Sequence, residues 1–265
     1  MKQFFAVFLL AAFIIGCNNA TEKKEGLNMG GAYSMLSQHV KSDSTDTTYT
    51  NYKQLKLYLG DYMMYGGVNP ADSVSGFGVG TITENMDTIT ESVMFNASDT
   101  SKNENPGTFK LVIEKTAKGY KQIIPDMAGA NGQKFTLTEE YETVGTSASS
   151  PLDGLWKQVK GYSIKGTDTT NRLDTQYKMY SAGHFMFGHS FANSTKKLHT
   201  GIGYGTFSMD GTTKLKESIL ATTYASIRGM SFDIAVELTG IDAFKQTITN
   251  ADGTKDVEFY ERVKK

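Results

Sequence analysis

The chain has 265 residues and a formal charge of -1, and its 27 Lys and Arg are dispersed rather than gathered into a stripe, which excludes a nucleic-acid-binding surface. Four prolines, 27 glycines and 29 Tyr and Phe together favour strands over helices. At this length either one or two domains are possible.

Residues 1–16 read as a signal peptide. Lys2 supplies the positive start, and the apolar run over 4–15 is too short to cross a bilayer, which takes about 20 helical residues. Ile14-Ile-Gly-Cys17 then resembles the bacterial lipobox, in which a small residue precedes a cysteine that is acylated and becomes the mature N-terminus. Cys17 is the only cysteine, so it cannot close a disulfide within the chain, and lipidation is its expected fate. Two or more acyl chains, at about 0.8 kcal/mol per buried CH2, would hold the protein on the lipid bilayer. Residues 17–28, rich in Asn, Thr, Glu, Lys and Gly, form a flexible tether. No run of acidic residues follows Cys17, which favours the periplasmic face of the outer membrane over the cell surface.

From residue 29 the chain repeats itself. Gln54-Leu-Lys-Leu-Tyr58 and Gly60-Asp-Tyr-Met63 return as Gln176-Tyr-Lys-Met-Tyr180 and Gly183-His-Phe-Met186. Gly76-Phe-Gly-Val-Gly-Thr81 returns as Gly201-Ile-Gly-Tyr-Gly-Thr206, Gly119-Tyr-Lys-Gln-Ile123 as Ala243-Phe-Lys-Gln-Thr247, and Glu139-Glu-Tyr-Glu-Thr-Val144 as Glu258-Phe-Tyr-Glu-Arg-Val263. The order is kept and the offsets drift only between 119 and 125, so this is an internal duplication whose drift lies in loops. The first copy occupies 29–145, a Ser-rich linker 146–151, and the second copy 152–265. Each copy reads as eight or so short strands separated by turn residues, a meander that closes into a barrel. Residues 41–50, and the stretch ending at Arg172, read as polar loops.

Gly154-Leu-Trp156 on the first strand of the second copy and Arg262 on its last strand resemble the lipocalin signature. There an arginine covers the indole at the barrel floor, a cation-π contact of about 0.5 to 2 kcal/mol. With Tyr177-Lys-Met-Tyr180, Gly183-His-Phe-Met186, residues 201–206 and Glu261-Arg-Val263, the second copy is similar along its length to lipocalin-like lipoproteins of Bacteroidetes-type bacteria. The resemblance implies an all-β protein of two tandem lipocalin-like antiparallel up-and-down β-barrels with an envelope address, and it implies no reaction. The first copy departs from the pattern at Tyr33, Thr143 and Asp61, where the second has Trp156, Arg262 and His184, so it is expected to be the diverged barrel.

A barrel strand alternates faces, which splits each segment into an inner and an outer set. Tyr120 and Gln122 share one face, as do Phe244 and Gln246; an apolar wall with one placed amide suits a mostly apolar guest. The plain alternative is a buried amide satisfied by a neighbouring strand. On the Tyr-Lys-x-Tyr strand, Tyr177 and Met179, like Leu55 and Leu57, are expected to line the barrel, leaving Lys56, Tyr58, Lys178 and Tyr180 outside. The converse arrangement points the lysine inward to meet an anionic head group. Phe185, Phe187 and Tyr204 complete the expected lining.

The histidines lack the spacing of a zinc site, and the glycine-rich strands lack the lysine and helix of a phosphate loop. Glu139 with Glu142, and Glu258 with Glu261, lie three apart and so on opposite strand faces. No catalytic residue, metal or cofactor is nominated. The expected function is that of a membrane-anchored envelope lipoprotein binding a small, largely apolar ligand. Its rival is a non-catalytic interaction or structural module, its barrels filled by their own side chains and docked on an envelope protein. A cavity of about 300 Å3 or more favours binding, and its absence favours the rival.

Overall fold

A computed structural model describes residues 26–68, 75–98, 101–129, 132–146, 149–192 and 196–264. The signal peptide, Cys17 and most of the tether lie outside the described residues. The first barrel is built from β1 (Gly31–Lys41), β2 (Asp46–Tyr49), β3 (Lys53–Leu59), β4 (Tyr62–Val68), β5 (Ser75–Glu84), β6 (Thr88–Ser98), β7 (Lys102–Asn103), β8 (Gly107–Lys115), β9 (Gly119–Ala128) and β10 (Lys134–Gly145). The second is built from β11 (Gly154–Lys165), β12 (Asp168–Asn171), β13 (Thr175–Ser181), β14 (His184–Ala192), β15 (Leu198–Asp210), β16 (Lys214–Thr222), β17 (Ser231–Leu238), β18 (Ala243–Thr249) and β19 (Lys255–Arg262). In each, eight strands pair antiparallel in meander order, and the last returns to the first, β10 to β1 and β19 to β11. Closure leaves no open edge on the eight-stranded wall.

The structure corrects the two polar loops. Residues 46–49 and 168–171 are short strands, β2 and β12, that hairpin back onto the far ends of β1 and β11. The polar side chains there are exposed, so the pairing carries no apolar periodicity for a sequence to display.

The glycine-rich strands owe their composition to close packing. Gly76, Gly78 and Gly80 on β5, like Gly201, Gly203 and Gly205 on β15, turn toward the barrel interior, and large side chains lie across Gly78, Gly80, Gly201 and Gly203. A Cβ on Gly78 would strike the Tyr65 ring, and one on Gly203 the Phe187 ring. Gly80 and Gly205 sit at matching β-bulges, where the residues skipped in the pairing are Met94 and Leu220. The bulges bend the wall, and the missing side chains also make room.

Among the described residues, three apolar clusters form the core. One fills barrel 1 around Tyr58, Met63, Ile89 and Leu111, and one fills barrel 2 around Trp156, Phe185, Ile234 and Phe244. The third lies between the barrels and draws on both: Leu55, Leu57, Met64, Phe77 and Phe95 from the first, Tyr177, Met179, Met186, Ile202 and Tyr204 from the second. Like strands meet like across this seam, β3 with β13, β4 with β14 and β5 with β15. Ser75 donates to the Thr200 carbonyl across it, and Ser181 to the Tyr58 carbonyl. The two copies are therefore related by an approximate two-fold axis through the seam, the geometry of an isologous dimer.

Candidate functional site

Because the outer faces of β3 and β13 are covered by the other barrel, the residues on their inner faces are the polar ones. This corrects the expected orientation: Gln54, Lys56 and Tyr58, and Gln176, Lys178 and Tyr180, point into their barrels and are buried. Tyr177 and Tyr204 are corrected with them. Both lie in the seam, Tyr177 against the Phe95 ring at 5.4 Å, and neither touches a ligand cavity.

Inside barrel 1 the Lys56 ammonium lies 2.6 Å from Glu91 Oε1 and donates to Gln122 Oε1 at 3.1 Å. Tyr58 donates to the same Glu91 oxygen at 2.8 Å. Gln122 in turn donates a hydrogen bond to Glu139 Oε2 at 2.6 Å, Tyr141 donates to that oxygen at 2.9 Å, and Gln54 donates to the Tyr141 hydroxyl. Barrel 2 repeats the whole network. Lys178 lies 2.8 Å from Glu217 and donates to Gln246 at 3.3 Å, while Tyr180 donates to Glu217 at 2.6 Å. Gln246 and Tyr260 donate to Glu258 Oε2 at 2.6 and 2.7 Å, and Gln176 donates to the Tyr260 hydroxyl. Glu91 and Glu217 had escaped the sequence reading. The pattern apolar-x-Glu-Ser-apolar, Ile89 to Val93 and Leu215 to Ile219, is the signal that could have found them, since its apolar pair and its glutamate share an inner face.

The floor below the network is duplicated as well. Phe244 stacks on Tyr260 at 4.8 Å and meets the Trp156 edge at 4.8 Å; Tyr120 stacks on Tyr141 at 5.0 Å and meets Tyr33 at 4.9 Å. Arg262 covers the indole at 4.1 Å from the ring centroid, and its guanidinium donates to the Asp153 carbonyl at 2.7 Å. Gly154, at φ 148°, leaves the space that the guanidinium fills. Phe185, Phe244 and Tyr120 thus belong to the packed floor, whereas Phe187, Gln246 and Gln122 line open volume.

That volume differs between the copies. Barrel 1 keeps about 150 Å3 above the network, closed in by Tyr65, Phe109, Met127 and Leu137. Barrel 2 keeps about 230 Å3, walled by Phe187, Ile219, Phe232, Ile234 and Ile248 over the polar floor of Lys178, Glu217 and Gln246. It opens into a vestibule of about 400 Å3 with which it shares Gln176, His189, Ile227, Ile248, Asp256 and Glu258. At the rim His189 Nε2 bonds the Tyr224 hydroxyl, and Asp174 stands 3.6 Å from Nδ1, beyond hydrogen-bond reach. Burial holds the imidazole below its ordinary pKa against the opposing pull of Asp174, so it is neutral at pH 7, and burial pushes Tyr224 up to about 12. Arg172 bonds Asp256 at 3.3 Å. Among the described residues no group of three or more His, Cys, Asp or Glu is arranged to hold a metal ion.

No known family matches the chain, and no curated protein matches it. A solved structure similar to it is a protein of unknown function from the DUF3598 family of Nostoc punctiforme PCC 73102, 13% identical over 88% of this chain and 96% of that one, with a TM-score of 0.27. A likeness that loose carries no information on function. What stands is the architecture itself: two closed antiparallel eight-stranded barrels in tandem, a lipocalin-like fold suited to a binding module.

Proposed function

We propose that this protein is a non-enzymatic binding module of the cell envelope, in which barrel 2 holds a small ligand with a largely apolar body and barrel 1 is a filled structural partner. The observation that carries the proposal is the space in barrel 2, where about 230 Å3 inside the wall, short of 300 Å3 by itself, shares six lining residues with a vestibule of about 400 Å3 at the mouth, against about 150 Å3 in barrel 1. Isoleucine and phenylalanine walls favour an apolar body, and the ordered polar floor fixes its orientation. The rival role, a docking or structural module, is favoured for barrel 1 alone, where side chains take up the space. The lipobox at Ile14 to Cys17 supports anchoring by acyl chains to the outer membrane, on its periplasmic face.

Protein extracted from its own membranes is expected to carry a small molecule in native mass spectrometry, and the emptied protein to give saturation-transfer NMR signals with 2-phenylethanol. Empty protein that also ignores 2-phenylethanol overturns the proposal. Incorporation of an alkyne-labelled fatty acid, abolished by Cys17→Ser, tests the anchor separately.

A further inference from the structure

The two interior networks are alike except at one carboxylate oxygen. In barrel 1 both oxygens of Glu139 are satisfied: Gln122 and Tyr141 serve Oε2, and Gln38 donates to Oε1 at 3.0 Å. Gln38 stands opposite Glu139 in the β1–β10 pairing. In the β11–β19 pairing the residue opposite Glu258 is Gly161, which has nothing to donate from a side chain. Glu258 Oε2 is served by Gln246 and Tyr260, and no described side chain donates to Oε1. A second change accompanies the first. Met35, opposite Tyr141 in barrel 1, is replaced by Gln158, opposite Tyr260. Gln158 is 5% exposed, and its Oε1 has no hydrogen-bond partner among the described residues. Gln158 and Glu258 both line the vestibule of barrel 2.

Leaving a buried acceptor such as Gln158 Oε1 unpaired costs about 1 to 3 kcal/mol, which barrel 1 avoids with Met35 at the matching place; Glu258 is only half-buried, and its Oε1 carries no such penalty. The missing partner is a donor, and the surrounding charge selects its kind. Glu258, Asp256 and Asp174 face Arg172 alone among the charged groups lining the vestibule, and His189 is neutral at pH 7. Lys178, the cation on the floor, is already paired with Glu217 at 2.8 Å. An anionic head group would therefore meet carboxylates rather than a free ammonium.

We infer that barrel 2 selects a small organic cation: a primary ammonium held between Gln158 Oε1 and Glu258 Oε1, joined to a short apolar or aromatic body that reaches between Phe187, Ile219 and Ile234. This rests on barrel 2 being a ligand-binding barrel and adds the class of ligand. The test compares three molecules of nearly equal shape, 2-phenylethylamine, 2-phenylethanol and 3-phenylpropanoate, on the full chain at pH 7 by titration and ligand-observed NMR. The amine is expected to bind at least tenfold more tightly than the alcohol, and the carboxylate least. Glu258→Gln keeps an acceptor for Gln246 and Tyr260 while removing the charge; it and Gln158→Met are each expected to cut amine affinity about tenfold or more and to leave the alcohol unchanged. Alcohol binding without preference for the amine, or amine binding indifferent to both substitutions, overturns this inference and leaves the binding module standing. Failure of all three molecules to bind overturns both.

Discussion

An ammonium buried without a partner costs several kcal/mol, and inside the barrels Lys56 and Lys178, each 3% exposed at the side chain, lie 2.6 and 2.8 Å from Glu91 and Glu217. Around these pairs sit Tyr58, Tyr120, Tyr141, Tyr180 and Tyr260, all held well above the ordinary tyrosine pKa, with burial the largest cause in each. In the unfolded chain the same hydroxyls release their protons near pH 10. Above that pH the unfolded state binds fewer protons than the folded one, so stability is full below pH 10 and falls as pH rises, by about 1.4 kcal/mol per unit for each tyrosine. Alkaline unfolding is expected to be steep, with phenolate absorbance and loss of far-ultraviolet dichroism appearing together. Phenolate formation by all 14 tyrosines near pH 10 with the dichroism intact contradicts this. The lysines and tyrosines of β3 and β13 were legible as repeated letters, yet their direction was not, and their partner glutamates were not. Lys-x-Tyr in a strand goes outward by ordinary reasoning, and only the partner glutamate three strands away makes the inward position affordable.

At the scale of single strands, the glycine runs of β5 and β15 trade side chains for aromatic neighbours. Gly203→Ala places a methyl against the Phe187 ring and is expected to cost about 1 to 3 kcal/mol, read from denaturant midpoints. Gly76→Ala, whose Cβ would have the Ala97 carbonyl as its nearest neighbour at 3.4 Å, is expected to cost much less. Equal losses from both refute the packing account. The existence of most strands was readable from alternation: β6 alternates throughout, and β16 does so up to its bulge at Leu220. In β3 and β13 the run from the second residue to the sixth is wholly buried, because one face meets the interior and the other meets the second barrel. A strand with no solvated face offers no contrast from which to choose, which is why Tyr177 and Tyr204 were assigned to a cavity they do not line.

At the scale of the whole molecule, the duplication was legible from the order and spacing of its segments, and the seam was not, since nothing in one copy announces that its partner will be the other. The shared core between the barrels predicts a single cooperative unfolding transition in calorimetry. Phe77, 1% exposed at the centre of the seam against Gly188, is the residue to remove. Phe77→Ala is expected to cost about 3 to 5 kcal/mol and to lower the one transition or divide it in two. An unchanged midpoint contradicts a seam that binds the halves together. The seam also governs the order of events at the ribosome. Once β10 has emerged barrel 1 can close, but Leu55, Leu57, Phe77 and Phe95 remain uncovered until β13 to β15 have been synthesised. A chain cut short after residue 145 is thus a finished barrel with an adhesive side, which will cling to a nascent neighbour or to another fragment of its own kind.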